Sequence, residues 1–290
     1  MKKRNLLILL AIAACVAVYL GYRALDMFRT DNTAPRITFS DETPDFSVLD
    51  PREALLRGVT AVDDRDGDVS ASVVVERVKL TDPDGSILVK YAAFDRSGNV
   101  VKAEREARYT DYESPRFSLS RSLLFEAQSD FDLMDIIGAS DPLDGNIRHR
   151  IRVTPLDDSA VTARGEHDVE FRVTNTLGET VRLTLPVGVY AEGVHTLDVE
   201  LTNYLIYLDA GSSFHADRYL ESVTWNRETI PLSDGMPEGY SLQVEGDVDP
   251  NTPGVYAVDY TVKQTNINER NPEDSLIRTG CARLIVVVEG

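Results

Sequence analysis

The chain of 290 residues holds only two cysteines, Cys15 and Cys281, one tryptophan and four histidines. With the two thiols so far apart in the chain, no internal disulfide is expected, and stability has to come from packed apolar cores. His149, His167, His195 and His215 are scattered, and no H-E-x-x-H, C-x-x-C or G-x-S-x-G arrangement occurs. Zinc hydrolysis and activated-serine chemistry therefore have no foothold in the sequence. Acidic residues are plentiful, yet nothing marks two of them as held at the separation that glycoside hydrolysis needs. The chain is read as non-catalytic, with no cofactor. Basic residues are scarce too, 30 Lys and Arg against 48 Asp and Glu, for a formal charge of −18. Five of the basic residues and one acidic residue fall in residues 1–30, which leaves −22 on the remainder. No basic patch is apparent in the sequence, so no nucleic-acid partner is expected. The acidity suits solubility, and it would attract cations or basic partners.

Apolar runs long enough to span a bilayer are also missing, with one exception. Lys2, Lys3 and Arg4 precede an apolar run from Leu6 to Tyr22, which is about the length of a transmembrane helix. The basic cluster ahead of it predicts a cytoplasmic amino terminus and an exported remainder. Residues 1–30 are thus read as a cytoplasmic tip and transmembrane signal-anchor helix. Two alternatives stand beside this: Ile12-Ala13-Ala14-Cys15 as a lipobox with Cys15 lipidated, and an ordinary cleaved signal peptide. All three put the rest of the chain outside the cytoplasm, held to the cell membrane by its first residues in the two anchored readings.

Beyond the leader, one pattern occurs twice. Ala61–Ser70, AVDDRDGDVS, is followed by Gly85–Val101, and Ala139–Arg148, ASDPLDGNIR, by Gly165–Val181. The first blocks lie 78 residues apart and the second 80, so the copies differ in length only in the connection between blocks, where a loop absorbs the change. Within each copy, apolar residues alternate between Asp-Gly and Gly-Asn type turns, which predicts short antiparallel strands in a sandwich. Strands are expected at Arg36–Phe39, Ala54–Val62, Ser70–Leu80, Ile87–Phe94 and Val100–Tyr109. Domain one is placed at 34–110 and domain two at 114–190, opened by Ser114-Pro115-Arg116-Phe117 as domain one is by Ala34-Pro35-Arg36-Ile37. The connector Thr110–Ser114 is short, so the array should resist bending, with each domain burying its own core. Domain three, 193–290, keeps only the strand Gly254–Val262; it lacks the acidic turn and carries a polar segment from Gln264 to Asp274, a candidate binding loop, before the apolar Leu284–Val288.

Two groups of residues are candidate sites. Asp63, Asp64, Asp66 and Asp68 crowd carboxylates as a calcium loop does. The EF-hand spacing fails, because counting from Asp64 puts Val75 where a bidentate glutamate belongs. The competing reading is a structural turn in which Asp63 and Asp66 accept backbone amides and Gly67 takes a positive φ. In domain three, Trp225 and Tyr240, with Tyr204 and Tyr207, are candidate platforms for stacking a sugar ring, or else core anchors.

The blocks A-x-D-x-x-D-G-D-[VI], G-x-[YIV]-x-V-x-Y and D-x-x-G-N resemble the signature of bacterial surface-protein immunoglobulin-like domains, relatives of hyalin-repeat and cadherin-like modules. Domain one matches every block, domain two departs at Asn146, Phe171, Asn175 and Glu179, and domain three keeps the middle block. The resemblance implies an all-β fold of tandem immunoglobulin-like β-sandwich domains preceded by one N-terminal transmembrane helix, on a bacterial cell surface. It implies a stalk, adhesive or protein-interaction role, with an unknown surface protein or glycan as ligand and no catalytic residues. A carbohydrate-binding module and an accessory subunit of an envelope complex are the alternatives.

Overall fold

The computed structural model describes residues 2–29, 31–40, 43–156, 161–232, 235–266 and 276–290. They divide into two compact units, 1–113 and 114–290. In the first, helix α1 (Lys2–Arg29) precedes β1 (Arg36–Phe39), β2 (Asp45–Phe46), β3 (Val59–Asp63), β4 (Gly67–Asp68), β5 (Val74–Leu80), β6 (Ser86–Phe94) and β7 (Val100–Tyr109). Strands β1-β3-β4 form one sheet and β2-β7-β6-β5 the other. All pairings are antiparallel except β2 with β7. The chain thus starts in one sheet and crosses at once to the edge of the other, an immunoglobulin-like layout.

Alternation builds this sandwich. Ile87, Val89, Tyr91 and Ala93 of β6 all point inward and are buried, and Tyr91 meets Phe39 of the facing sheet with ring centroids 5.6 Å apart. Burial of Ile87 or Val89 contributes about 1.5–3 kcal/mol each by removing the side chain from water. One expected strand differs at its start: Ala54–Val62 opens as a 3-10 helix, Arg52–Leu56, led in by Pro51 and burying Leu55. Gly58, at φ 68°, then turns the chain into β3, a conformation that favours glycine.

The second unit repeats the layout twice. First come β8 (Arg116–Leu119), β9 (Leu124–Glu126), the single-turn α2 (Leu133–Ile136), β10 (Ile137–Asp141), β11 (Gly145–Asn146), β12 (Arg152–Pro155), β13 (Gly165–Thr174) and β14 (Thr180–Tyr190). Then follow β15 (Asp198–Leu201), β16 (Leu205–Asp209), β17 (Leu220–Trp225), β18 (Glu228–Pro231), β19 (Tyr240–Glu245), β20 (Gly254–Asn266) and β21 (Leu276–Glu289). The sheets are β8-β10-β11 with β9-β14-β13-β12, and β15-β17-β18 with β16-β21-β20-β19. In both, the second strand again runs parallel to the last. The third sandwich therefore keeps the full strand order without the acidic turn. Its β17–β18 hairpin turns instead through Asn226 and Arg227, both at positive φ, as a two-residue type I′ turn requires. The Gln264–Asp274 segment falls largely in residues 267–275, outside the described residues.

The second and third sandwiches do not keep separate cores, contrary to the expectation that each domain buries its own. Leu205 and Ile285 are buried with Phe117, Phe171, Leu185 and Val187 of the second sandwich, and Ala257 and Val287 pack against the same cluster. On the opposite face of the same sheet, Val258, Tyr260, Leu284 and Val286 fill the third sandwich's own core. Two-sided burial explains why Leu284–Val288 is an unbroken apolar run where a half-exposed strand would alternate. At the margin, Arg283 is buried and bonds Asp259 through Nε and Nη2 at 2.7 and 2.8 Å, and Glu166 through Nη1 and Nη2 at 2.7 and 2.9 Å. Those two carboxylates hold its guanidinium even more firmly protonated than usual, against the opposing effect of burial. Gly188 leaves room for this bridge, since a Cβ there would meet Leu124 Cδ2 at 2.5 Å and Glu166 Oε1 at 2.9 Å. The Phe117 amide also donates to the Tyr207 hydroxyl at 2.8 Å, whose pKa burial pushes up to about 12.

Within α1 the described side chains are those of residues 8–23, all exposed. Among the described residues no helix is long and apolar enough to cross a membrane.

Removing the guanidinium strands two carboxylates at this seam. Arg283→Met should cost about 2–3 kcal/mol, less than the 3–5 of a fully buried pair because Glu166 stays open to water. Denaturant unfolding of the full chain in detergent checks this, and an unchanged midpoint would show that the bridge does not hold the seam.

Candidate functional site

The acidic turn is a hairpin whose shape is set by one buried carboxylate. Asp63, 2% exposed, ends β3, and its Oδ1 accepts the amides of Arg65 and Asp66, both at 2.9 Å. Gly67 follows at φ 73°. Asp66 reaches across to the other sheet, where its Oδ2 accepts the Arg96 amide at 2.8 Å in the β6–β7 turn. Asp68 Oδ1 accepts the Ser70 amide at 2.9 Å, and bonds from Ser70 hold its carboxyl below the usual range. Asp64 is exposed. The second sandwich repeats the arrangement: Asp141 Oδ1 accepts from Leu143 and Asp144, Gly145 lies at φ 68°, and Asp144 takes the Thr176 amide at 2.7 Å and Arg150 Nη1 at 2.8 Å. The local turn bonds expected of Asp63 are present and recur at Asp141, whereas Asp66 and Asp144 accept an amide from the facing sheet and not one in their own turn.

The turn's four aspartates are not what gathers at one point. Among the described residues, the acidic side chains close enough to share an ion are Asp31, Asp63 and Asp95, with one carboxylate oxygen of each within 4.8 Å of the others. Asp31 comes from the segment after α1 and Asp95 from the β6–β7 turn, and all three are at most 8% exposed. Asp31 Oδ1 accepts the Thr33 amide and hydroxyl at 3.0 Å, while its backbone carbonyl accepts Asn99 Nδ2 at 3.1 Å. Asp95 accepts the Asn99 amide at 2.8 Å and Asn99 Nδ2 at 2.7 Å. Burial pushes the Asp95 carboxyl up, but these bonds and those from Gly98 and Ser97 outweigh it and keep it below its ordinary value. Asp31 Oδ2 and Asp63 Oδ2 are buried with no hydrogen-bond partner. No Lys, Arg or His among the described residues forms an ion pair with any of the three.

Sequence reading found Asp63 but neither partner. Asp31 lies outside the span assigned to domain one, and Asp95 reads as an ordinary turn residue. The signal lay in the repeat: Asp31 precedes Pro35 by four residues as Asp111 precedes Pro115, and Asp95 stands where the second copy has Asn175.

Trp225 ends β17 and is 38% exposed, but the Arg278 guanidinium lies over its ring at 3.8 Å. That ring face is occupied, which weakens a sugar-stacking role. Tyr240 is half-buried against the third core, as are Tyr204 and Ile206. A basic patch does exist, contrary to the expectation from the sequence. Arg152 faces Arg172 across β12–β13, and Arg172 faces Arg182 across β13–β14. With His149, Arg150 and two threonines they line an open depression of about 560 Å³. Arginines 20 and 10 residues apart meet only through strand register.

No family model and no curated protein matches the chain. Among solved structures it is similar to the CBM51-2 domain, in complex with GlcNAc, and INT domains of Clostridium perfringens ZmpB, at 16% identity over 51% of this chain and 26% of that one, TM-score 0.22. It is also similar to protocadherin gamma B2 extracellular cadherin domains 1–5, at 12% over 90% and 61%, TM-score 0.21. A third is mouse cadherin-23 EC22–24, at 11% over 89% and 99%, TM-score 0.19. The chain spans about a quarter of the first and about three fifths of the second. These likenesses are remote, and the fold stands on the strand order itself.

The sheet-to-sheet clamp is open to measurement. Asp144→Ala removes bonds to Thr176 and Arg150 and should destabilise by about 1.5–3 kcal/mol, as for hydrogen bonds to a charged group, whereas Asp64→Ala should stay within about 0.5 kcal/mol. Equal midpoints for the two in chemical denaturation would refute the clamp.

Proposed function

We propose that this chain is a non-catalytic surface protein, fixed to the cell membrane by its N-terminal helix and presenting tandem immunoglobulin-like sandwiches outside as a stalk and protein-interaction array. The observation that carries this reading is the threefold recurrence of one strand order. Repetition of a rigid module suits display and force-bearing, and the two-sided burial at the seam of the second and third sandwiches removes a hinge there. For the anchor, the support is the stretch 8–22 of this helix, which carries no charged residue on any side. Ile8, Leu9, Leu10, Ile12, Val16, Val18 and Leu20 are 49–73% exposed, a pattern that suits lipid better than water.

The anchor is tested by fractionation. The full chain should sediment with membranes and resist carbonate extraction, and the chain without residues 1–30 should not. Cys15→Ala should leave attachment intact; its loss would replace the transmembrane anchor with a lipidated Cys15, and a soluble full chain would remove both.

A second reading, glycan binding, is favoured by the arginine row. Like charges placed directly opposite in a sheet destabilise it, so a row of three with no ion-pair partner among the described residues suits an anionic ligand that neutralises them. The ligand class is a carboxylated or sulfated oligosaccharide, met at the second sandwich rather than at Trp225. On a glycan array, binding should be confined to acidic glycans, lost in Arg172→Glu and unaffected by Trp225→Ala. Binding of neutral glycans, or of single-stranded DNA in preference to acidic glycans, would sink this reading.

A further inference from the structure

We infer that Asp31, Asp63 and Asp95 bind a divalent cation, calcium by the chemistry of the donors, and that this ion ties the segment following the N-terminal helix to the first sandwich. Three buried carboxylates within 4.8 Å repel one another, and among the described residues no Lys, Arg or His forms an ion pair with them. Asp63 and Asp31 each have one oxygen committed, Asp63 Oδ1 to the acidic turn and Asp31 Oδ1 to Thr33, while both oxygens of Asp95 accept from Asn99. What remains are the buried, unpartnered Oδ2 atoms of Asp31 and Asp63. A buried anionic oxygen without a partner is costly, and a cation shared by the cluster satisfies both at once.

The second sandwich supplies an internal comparison. Where the first has Asp95, it has Asn175, whose Nδ2 donates to Asp141 Oδ2 at 2.9 Å. There an amide satisfies the oxygen that stays bare on Asp63. One copy thus closes the pocket with its own donor, and the other leaves it to an ion.

All donors are oxygens, which selects a hard cation. Calcium accepts six to eight oxygens in irregular geometry, and carboxylates already held in turns can supply such a set with water completing it. Magnesium demands a near-ideal octahedron and keeps its own waters. The consequence is mechanical. Asp31 lies two residues past the end of α1 and is otherwise joined to the sandwich through Asn99 Nδ2, so ion occupancy sets how firmly the first sandwich is held at its membrane end. The site itself depends on the first sandwich alone and survives failure of the anchor.

The test uses the full chain in detergent, stripped with chelator and titrated with calcium chloride by calorimetry, with thermal unfolding in parallel. One calcium per chain is expected, with a rise in unfolding temperature that chelator reverses. Asp95→Asn, which copies the second sandwich, should weaken binding at least tenfold and abolish the chelator effect. Asp31→Asn should do the same and, lying outside the strands, guards against a folding failure of the first variant. Asp64→Asn, in the exposed turn, should leave affinity within twofold. No heat and no chelator shift, or loss of binding in Asp64→Asn but not in Asp31→Asn, overturns the site; tighter binding of magnesium overturns calcium as its occupant.

Discussion

A sandwich of two small sheets needs something to hold its open end, and here that is a buried aspartate at the end of the third strand. Asp63 and Asp141 each accept two amides of the turn that follows, which positions the next aspartate, Asp66 or Asp144, to accept an amide from the turn of the opposite sheet. The chain of dependence is short: buried carboxylate, turn shape, cross-sheet bond. It explains why an acidic cluster on an acidic protein is tolerated, since most of these charges are spent on backbone donors that would otherwise lack partners. It also explains why the same positions lie so close to an ion site. A turn already shaped around carboxylate oxygens needs only one more acid in the neighbouring turn, Asp95 in place of an amide, to change from self-satisfied to cation-dependent.

The third sandwich dispenses with this clamp and is held differently. Its β17–β18 hairpin closes on Asn226 and Arg227 at positive φ, and its four-stranded sheet is covered on both faces, by its own core and by the second sandwich. Apolar burial on two faces supplies what the missing aspartate turn does not. The cost is independence. Once Ile285 belongs to one core and Leu284 to another, the two sandwiches share a sheet's worth of packing and behave as one unit, as the division at residues 113 and 114 reflects.

The strands were legible in the sequence because alternation and turn residues are local signals: Ile87, Val89, Tyr91 and Ala93 read inward and are inward. The 3-10 segment Arg52–Leu56 was not, because five residues that bury Leu55 alone are too short to show a period. Nor was the seam. The unbroken run Leu284–Val288 reads only as an apolar final strand, and no pattern in the sequence says what covers its second face. The candidate ion site was half legible: Asp63 stood out among its neighbours, while Asp31 and Asp95 lie 32 residues to either side and are joined to it only by the fold. The arginine row was invisible for the same reason, being a property of register between β12, β13 and β14.

The two closest copies also show which residues change together. In the first core, Tyr91 donates its hydroxyl to the Leu55 carbonyl at 2.8 Å and accepts from Arg105 Nη2, while Arg105, buried and lying over Phe39 and Tyr91, bonds the carbonyls of Leu55 and Arg57. At the matching positions the second core has Phe171 and Leu185, each 0% exposed. The polar pair is replaced as a pair. Losing the hydroxyl alone would take an acceptor from a buried guanidinium whose Nε already has no partner, whereas losing the arginine as well removes the charge together with that need. The third core keeps the tyrosine but not the arginine: Tyr260 bonds the Ala216 carbonyl at 2.7 Å and Leu284 stands in the arginine's place. The hydroxyl is tolerated there because a single carbonyl suffices to take its proton. The Asp95 and Asn175 exchange obeys the same rule, with one difference. In the first sandwich the missing partner is not another side chain, and among these exchanged positions only that one leaves oxygens that the chain itself does not satisfy.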